Sequence, residues 1–420
     1  MSLLRRIFSN SFWLLLGSSI GRLAMFLTNI FAARFLGRDL FGQYTMVRST
    51  ISLASNFITG ALGLTATKHV AEGEYKDPQN FLIKILAVFS INFIFNFIFS
   101  LILILFSDQI INSFFLGELT LKNALFVGAL LLFTSTNAYL AQSILVGLER
   151  FKIIAIINLV VSILFFPIIL ILIKYGKVIG TLSGVTLYFL FDLIFKVYFL
   201  KTKILSQFYT INKESFLAHL KKLSSFSLPL VLSLFFSSGS FWYSKVFILN
   251  RSNRFAEIAI FDAAYQWLTI IMLITGATTS VALPMLSKAV GQKNKFELTK
   301  IFNINLIINI IISATIALII IIFSPYIMRL YGESFVEGSD ILSILAITSI
   351  FFSISSILNK YMISHNKVWH VLFSSFIGML TLFYVLFLMQ AKLAFGLSIA
   401  FLSYYLMTTL TYTTLIVIKK

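Results

Sequence analysis

The chain has 420 residues, 59% of them hydrophobic and only 11% charged, with a formal net charge of +18. Soluble domains carry roughly a quarter charged residues, so this composition cannot cover a water-exposed surface, and Lys and Arg scattered between apolar runs form no nucleic-acid groove. Cysteine is absent, which excludes disulfides, thiolate metal sites and cysteine nucleophiles.

At the N-terminus Arg5 and Arg6 precede an apolar run of about twenty residues that holds Arg22 at its middle and has no small-residue cleavage site, so it is expected to be a retained first span. Runs long enough to cross about 30 Å of hydrocarbon fall near 11–31, 43–65, 82–106, 121–145, 153–173, 178–200, 224–249, 257–283, 301–323, 340–362, 371–389 and 395–417. The expected fold is therefore all-α and integral to the membrane, with twelve transmembrane helices. Nineteen Lys and Arg residues fall at the termini and the even-numbered exits, against nine in the opposite loops. That asymmetry places both termini in the cytoplasm. Trp13 and Trp369 sit near the cytoplasmic ends of their spans, where indoles are favoured. Between the sixth and seventh spans, Asn212 caps a stretch with Phe216, Leu217, Leu220 and Leu223 on one face, which predicts a short helix lying on the inner leaflet.

Shifted by about 216 residues, the chain matches itself. ITGA at Ile58–Ala61 falls on ITGA at Ile274–Ala277, and LIKI at Leu82–Ile85 on LTKI at Leu298–Ile301. Phe106 and Ser107 meet Phe323 and Ser324, Gly117 falls close to Gly332, and Lys152 close to Lys367. The expected division is a six-helix bundle over 1–203, an interfacial linker over 204–223 and a second six-helix bundle over 224–420. With an even number of spans in each, both halves enter the bilayer in the same direction, and the site is expected between them.

No phosphate-binding loop of the G-x-x-x-x-G-K-[ST] type occurs, which argues against ATP-driven transport by this chain alone. His69, His219, His365 and His370 have no metal-ligand spacing, and neither metal nor cofactor is expected. Charges inside spans are costly, about 2.5–3.5 kcal/mol each at a helix centre, and mark function by default. Five are basic: Arg22, Arg48, Lys196, Lys245 and Lys360. Snorkelling toward the nearer interface accounts for the three lysines better than function does, whereas Arg22 is too deep for it. Arg22, Arg48 and Lys245 are the candidate substrate contacts. Asp192 and Asp262 are the candidate ion-coupling groups. Asp192 lies four residues before Lys196, at ion-pair spacing, and Asp262 has no neighbour in sequence to neutralise it. The inferred cavity is net basic and suits a phosphate or pyrophosphate.

The run SFWLLLGSSIGRLAMFLTNIFAARFLGRDLFGQY, with its AR-x-LG-x-x-x-FG-x-Y join, and LVGLERFK at Leu145–Lys152 resemble the polysaccharide export and oligosaccharide flippase family often called Wzx. The resemblance implies two six-helix bundles in a V around a central cavity. It also implies a flippase that turns an undecaprenyl-pyrophosphate-linked sugar repeat across the bacterial cytoplasmic (inner) membrane, for O-antigen or capsule. Its partners would be the lipid-linked oligosaccharide, the bilayer and possible contacts with a polysaccharide polymerase and chain-length regulator. Arg22 and Arg48 match that family's cationic cavity residues by location. The alternative is a cation-coupled drug or metabolite antiporter of the same superfamily. The loop KHVAEGEYKDPQN lacks the signature of a major-facilitator transporter, and the external loops are too short for a membrane-embedded glycosyltransferase.

Overall fold

The computed structural model describes the backbone of residues 3–73, 78–148, 150–204 and 232–417, with side-chain surroundings for most of 20–59, 89–201 and 232–416. The expected interfacial helix near 213–223 and the side chain of Trp13 lie outside the described residues. Among the described residues every regular element is helical. The cause is the solvent: in hydrocarbon each backbone N–H and C=O must be satisfied within its own segment, and a helix does that.

In chain order the helices are α1 (Leu3–Gly73), α2 (Pro78–Leu105), α3 (Ser107–Phe114), α4 (Leu121–Gly147) and α5 (Phe151–Ile204). A π-helical turn at Phe235–Gly239 then leads into α6 (Ser240–Ser252), followed by α7 (Phe255–Gly291), α8 (Lys295–Ile322), α9 (Ser324–Arg329), α10 (Ser339–Ser364), α11 (Val368–Leu388) and α12 (Leu393–Val417). At 1.5 Å per residue α1 and α5 would run to about 107 and 81 Å, far beyond the bilayer, so each must double back. It does so where the backbone leaves the helical region, at Gly37 (φ 72°, ψ 180°) and at Lys177 (φ 47°, ψ −131°). The hydrogen bond between Arg48 and Asn29, and that between Ser162 and Tyr188, join the two arms of each hairpin. Eight helices among the described residues are long and apolar enough to span, or nine when α2 and α3, bent by 69°, count as one. Two of the eight, at 40 and 51 residues, are such hairpins. Large apolar side chains such as Phe97, Leu101, Ile163, Ile311, Ile319 and Phe387 stand exposed, which is a lipid-facing surface rather than a watery one.

The chain divides into two compact units, Met1–Leu36 with Met46–Leu228, and Gly37–Thr45 with Pro229–Lys420. In the first, α4 packs along α2 and α5, with Leu140, Ala141, Ile144 and Leu145 closing on Ile154 and Leu200. In the second, α10 is the central helix, touching α7, α8 and α12, while α11 packs on α12. The excursion 37–45 is seated within this second unit. Arg38 pairs with Glu337, the buried Phe41 meets Phe335 edge-on at 6.0 Å, and Gly42 lies so close to the Phe255 carbonyl that a β-carbon would collide with it.

Internal features of the two units recur at an offset of about 216 residues. The break at Gly37 returns at Asn253 (φ 54°), and that at Lys177 returns at Leu393 (φ 46°, ψ −122°). Three residues beyond those last two turns, Gly180 and Gly396 leave no room for a β-carbon against the carbonyls of Leu172 and Met389. The bend at Phe106 returns at Phe323. Thr136 donates to Asn96 at 2.7 Å, and the hydroxyls of Ser353 and Ser313 meet at 2.9 Å. One frame of inter-helix bonds has been used twice.

Candidate functional site

In the first unit both arms of α1 and the helices α4 and α5 bring polar groups together inside otherwise apolar segments. Arg22, on the first arm, is exposed, and no hydrogen bond or ion pair engages it among the described residues. Arg48, on the second arm, is half-buried and donates from Nη1 to Oδ1 of the buried Asn29 at 2.6 Å. That bond spans the hairpin and fixes where the guanidinium points. Tyr139 of α4 rests its ring on Phe189 of α5 at 5.6 Å.

Behind these groups Asp192 and Lys196, one helical turn apart on α5, are bonded at 2.6 Å with almost no exposure. Lys196 also donates to Gln142 Oε1 at 2.9 Å. The pair is neutral as a unit, because a buried charge is tolerated only when it is paired and hydrogen-bonded. Asp192 Oδ1 is buried without a hydrogen-bond partner among the described residues. The charge of Asp192 is committed to Lys196, and Arg22 has no ion pair among the described residues.

The second unit resolves differently. Lys245 on α6 donates to Asp262 Oδ1 on α7 at 2.5 Å, both side chains about nine-tenths buried, with Nζ 5.8 Å from the Phe261 ring and 5.6 Å from that of Tyr265. The sequence suggested snorkelling for Lys245, which instead turns inward onto a carboxylate, while Lys196 takes the ion pair with Asp192 that its spacing offered. It also left Asp262 without a neighbour. Its partner is 17 residues away, across the turn at Asn253, and helical spacing cannot reveal such a contact. The structure thus groups Arg22, Arg48 and Asp192 in one unit and Lys245 with Asp262 in the other. Asn29, Gln142 and Tyr139 were missed because neutral polar side chains inside spans are ordinary; only the offset of about 216 residues, which lays Asn29 on Lys245, hinted at the first.

The sequence pattern of a family described as Polysaccharide biosynthesis protein matches residues 7–290, and that of MatE matches residues 229–389. The chain is structurally similar to an inward-facing multidrug resistance MATE family transporter of the MOP superfamily, with a TM-score of 0.74 at 13% identity over 95% of this chain and 96% of that one. It is similar to the lipid II flippase MurJ in an inward closed conformation, with a TM-score of 0.72 at 14% identity over 95% and 86% of the two chains. A MOP superfamily transporter from Pyrococcus furiosus, described as having a binding pocket of reverse polarity, gives 0.66 at 16% identity over 97% and 93%. No curated protein sequence matches.

The described helices define a multi-pass, all-helical membrane fold, similar to that of transporters and flippases of the MOP superfamily. Within that class the chain belongs to the Polysaccharide biosynthesis protein family.

Proposed function

We propose that the protein flips an undecaprenyl-pyrophosphate-linked oligosaccharide across the bacterial cytoplasmic membrane by alternating access, supplying O-antigen or capsule synthesis. One observation carries this reading. The first unit presents Arg22 exposed and engaged by no hydrogen bond or ion pair among the described residues, with its buried Asp192 bonded to Lys196, whereas the lysine of the second unit is bonded to Asp262. A pyrophosphate cannot enter hydrocarbon unpaired without a cost of many kcal/mol, and guanidinium groups neutralise it while donating paired hydrogen bonds. Membership of a polysaccharide biosynthesis family, and likeness to a lipid flippase and to a carrier with a pocket of reverse polarity, support the same substrate class.

In this reading both termini and the 204–223 linker between the bundles 1–203 and 224–420 are cytoplasmic, and a polymerase and chain-length regulator act next on the product. Asp262 is the first coupling candidate, because protonating it would break its bond with Lys245. Asp192 is the second. A drug antiporter of the same superfamily would need an acidic group open to a cationic substrate, and both acids here are engaged by lysine. The test is surface polysaccharide in a strain lacking its own flippase, with membrane levels of each variant measured alongside. Arg22→Ala is expected to lose most display, and Arg22→Lys to keep part of it, since charge survives without the planar fork. Full display from both Arg22→Ala and Arg48→Ala would overturn the proposal.

A further inference from the structure

We propose that the end of the second unit formed by the α7–α8 and α10–α11 turns is a docking surface for anionic phospholipid headgroups. Six lysines stand at that end: Lys288, Lys293, Lys295 and Lys300 around the first turn, Lys367 in the second and Lys360 one helical turn inside α10. Phe302 of α8 and Tyr361 of α10, with ring centroids 5.2 Å apart, join the helices that carry the two turns. None of the six lysines makes an ion pair among the described residues. The one carboxylate nearby in sequence, Glu297, closes the cap of its own helix. Its backbone N–H donates to Asn294 Oδ1 at 3.1 Å, and its Oε2 accepts from Asn294 Nδ2 at 3.4 Å.

The opposite end of the same unit supplies the contrast. There Arg38, Arg251, Arg254, Arg329 and Lys392 are matched in number by Asp39, Glu257, Glu333, Glu337 and Asp340. Two pairs are joined, Arg38 with Glu337, and Arg329 with Glu333 at 3.1 Å. One end is balanced, and the other sets six lysines against one acid. Such an excess draws anions from outside the chain, and the aromatic side chains decide which kind. Phe296 is 79% exposed and Trp369 is 62% exposed, one beside each turn. Large apolar groups among lysines at helix ends fit the headgroup layer, where rings reach acyl chains and ammonium groups reach phosphate. A soluble anion would leave those rings bare. Lys288, Lys293, Lys295 and Lys300 are all exposed to such a layer. Lys360 is half-buried, and its flexible stem lets the ammonium reach the same depth.

The test uses the full chain in nanodiscs, with spin-labelled phosphatidylglycerol and phosphatidylcholine as probes and the share of each immobilised on the protein read by electron paramagnetic resonance. Phosphatidylglycerol is expected to be favoured about fivefold at low salt, and less at high salt because exposed charges are screened. Lys288→Gln, Lys293→Gln, Lys295→Gln and Lys300→Gln together are expected to cut that preference by about half or more. Lys293→Gln with Lys295→Gln, confined to the exposed turn, is expected to remove part of it. Arg251→Gln with Arg254→Gln, at the balanced end, is expected to leave it unchanged. A preference that survives intact in the fourfold variant would overturn the proposal and leave these lysines to set insertion topology alone. Weakened calorimetric binding of farnesyl pyrophosphate, with the phosphatidylglycerol preference intact, would overturn it as well and assign the lysines to the transported substrate. Both readouts stand apart from whether the chain flips an oligosaccharide.

Discussion

The two units share a frame and differ in the charge placed on it. Between the first two helices of the first unit, Asn29 accepts from Arg48; at the corresponding point of the second, Lys245 donates to Asp262. Lys196 reaches Gln142 in one unit, and Asn359 reaches Tyr412 in the other. What the helix packing requires at each point is a donor facing an acceptor, and whether either is charged is free to vary. The first unit has used that freedom to set an arginine on an asparagine, and the second to set a lysine on an aspartate.

Removing one charge from a buried pair should therefore cost most. Lys196→Ala leaves Asp192 buried and uncompensated, an expected loss of about 3–5 kcal/mol, whereas Asn359→Ala, the neutral counterpart, should cost about 1 kcal/mol. Thermal unfolding of the purified variants measures both. Transplanting the second unit's solution, Asp192→Thr with Lys196→Tyr, should recover much of the loss; if the double variant is no better than Lys196→Ala, the two frames are not interchangeable.

The helix breaks sharpen the contrast at a smaller scale. Gly37 sits at φ 72° with ψ 180°, a region open essentially to glycine, while Asn253 sits at φ 54°, ψ 28°, which asparagine adopts readily. Gly37→Ala should destabilise by about 1–3 kcal/mol, and Asn253→Gly by a few tenths at most. Equal melting shifts for the two would deny the difference. One expected effect is a gain, since Lys177 and Leu393 both occupy a turn conformation that glycine dominates. Lys177→Gly and Leu393→Gly are each expected to raise stability by up to about 1 kcal/mol, visible as a higher midpoint in the same melts.

Much of this architecture can be read from the sequence because lipid leaves few alternatives. Twenty-residue apolar runs, the Phe-Ser pairs at 106 and 323 and the repeated glycines at 117 and 332 mark helices, bends and turns directly. The Asp192–Lys196 pair is legible as well, since its spacing is local to one helix. The bond from Lys245 to Asp262 is not, because it depends on how two helices rotate after a turn, and burial of both partners is a property of the packed unit.

The excursion at Gly37–Thr45 bears on how the gene could be divided. Because those residues belong to the second unit while their flanks on both sides belong to the first, the polypeptide passes from one to the other at three points rather than one. A cut within 204–223 would not yield two self-sufficient pieces. The downstream fragment would lack the arm that brings Phe41 to Phe335 and Gly42 to Phe255, leaving an apolar notch until the upstream fragment returned it. That is the geometry of a swapped element, and it makes fragment complementation, rather than independent production of halves, the natural behaviour of this chain.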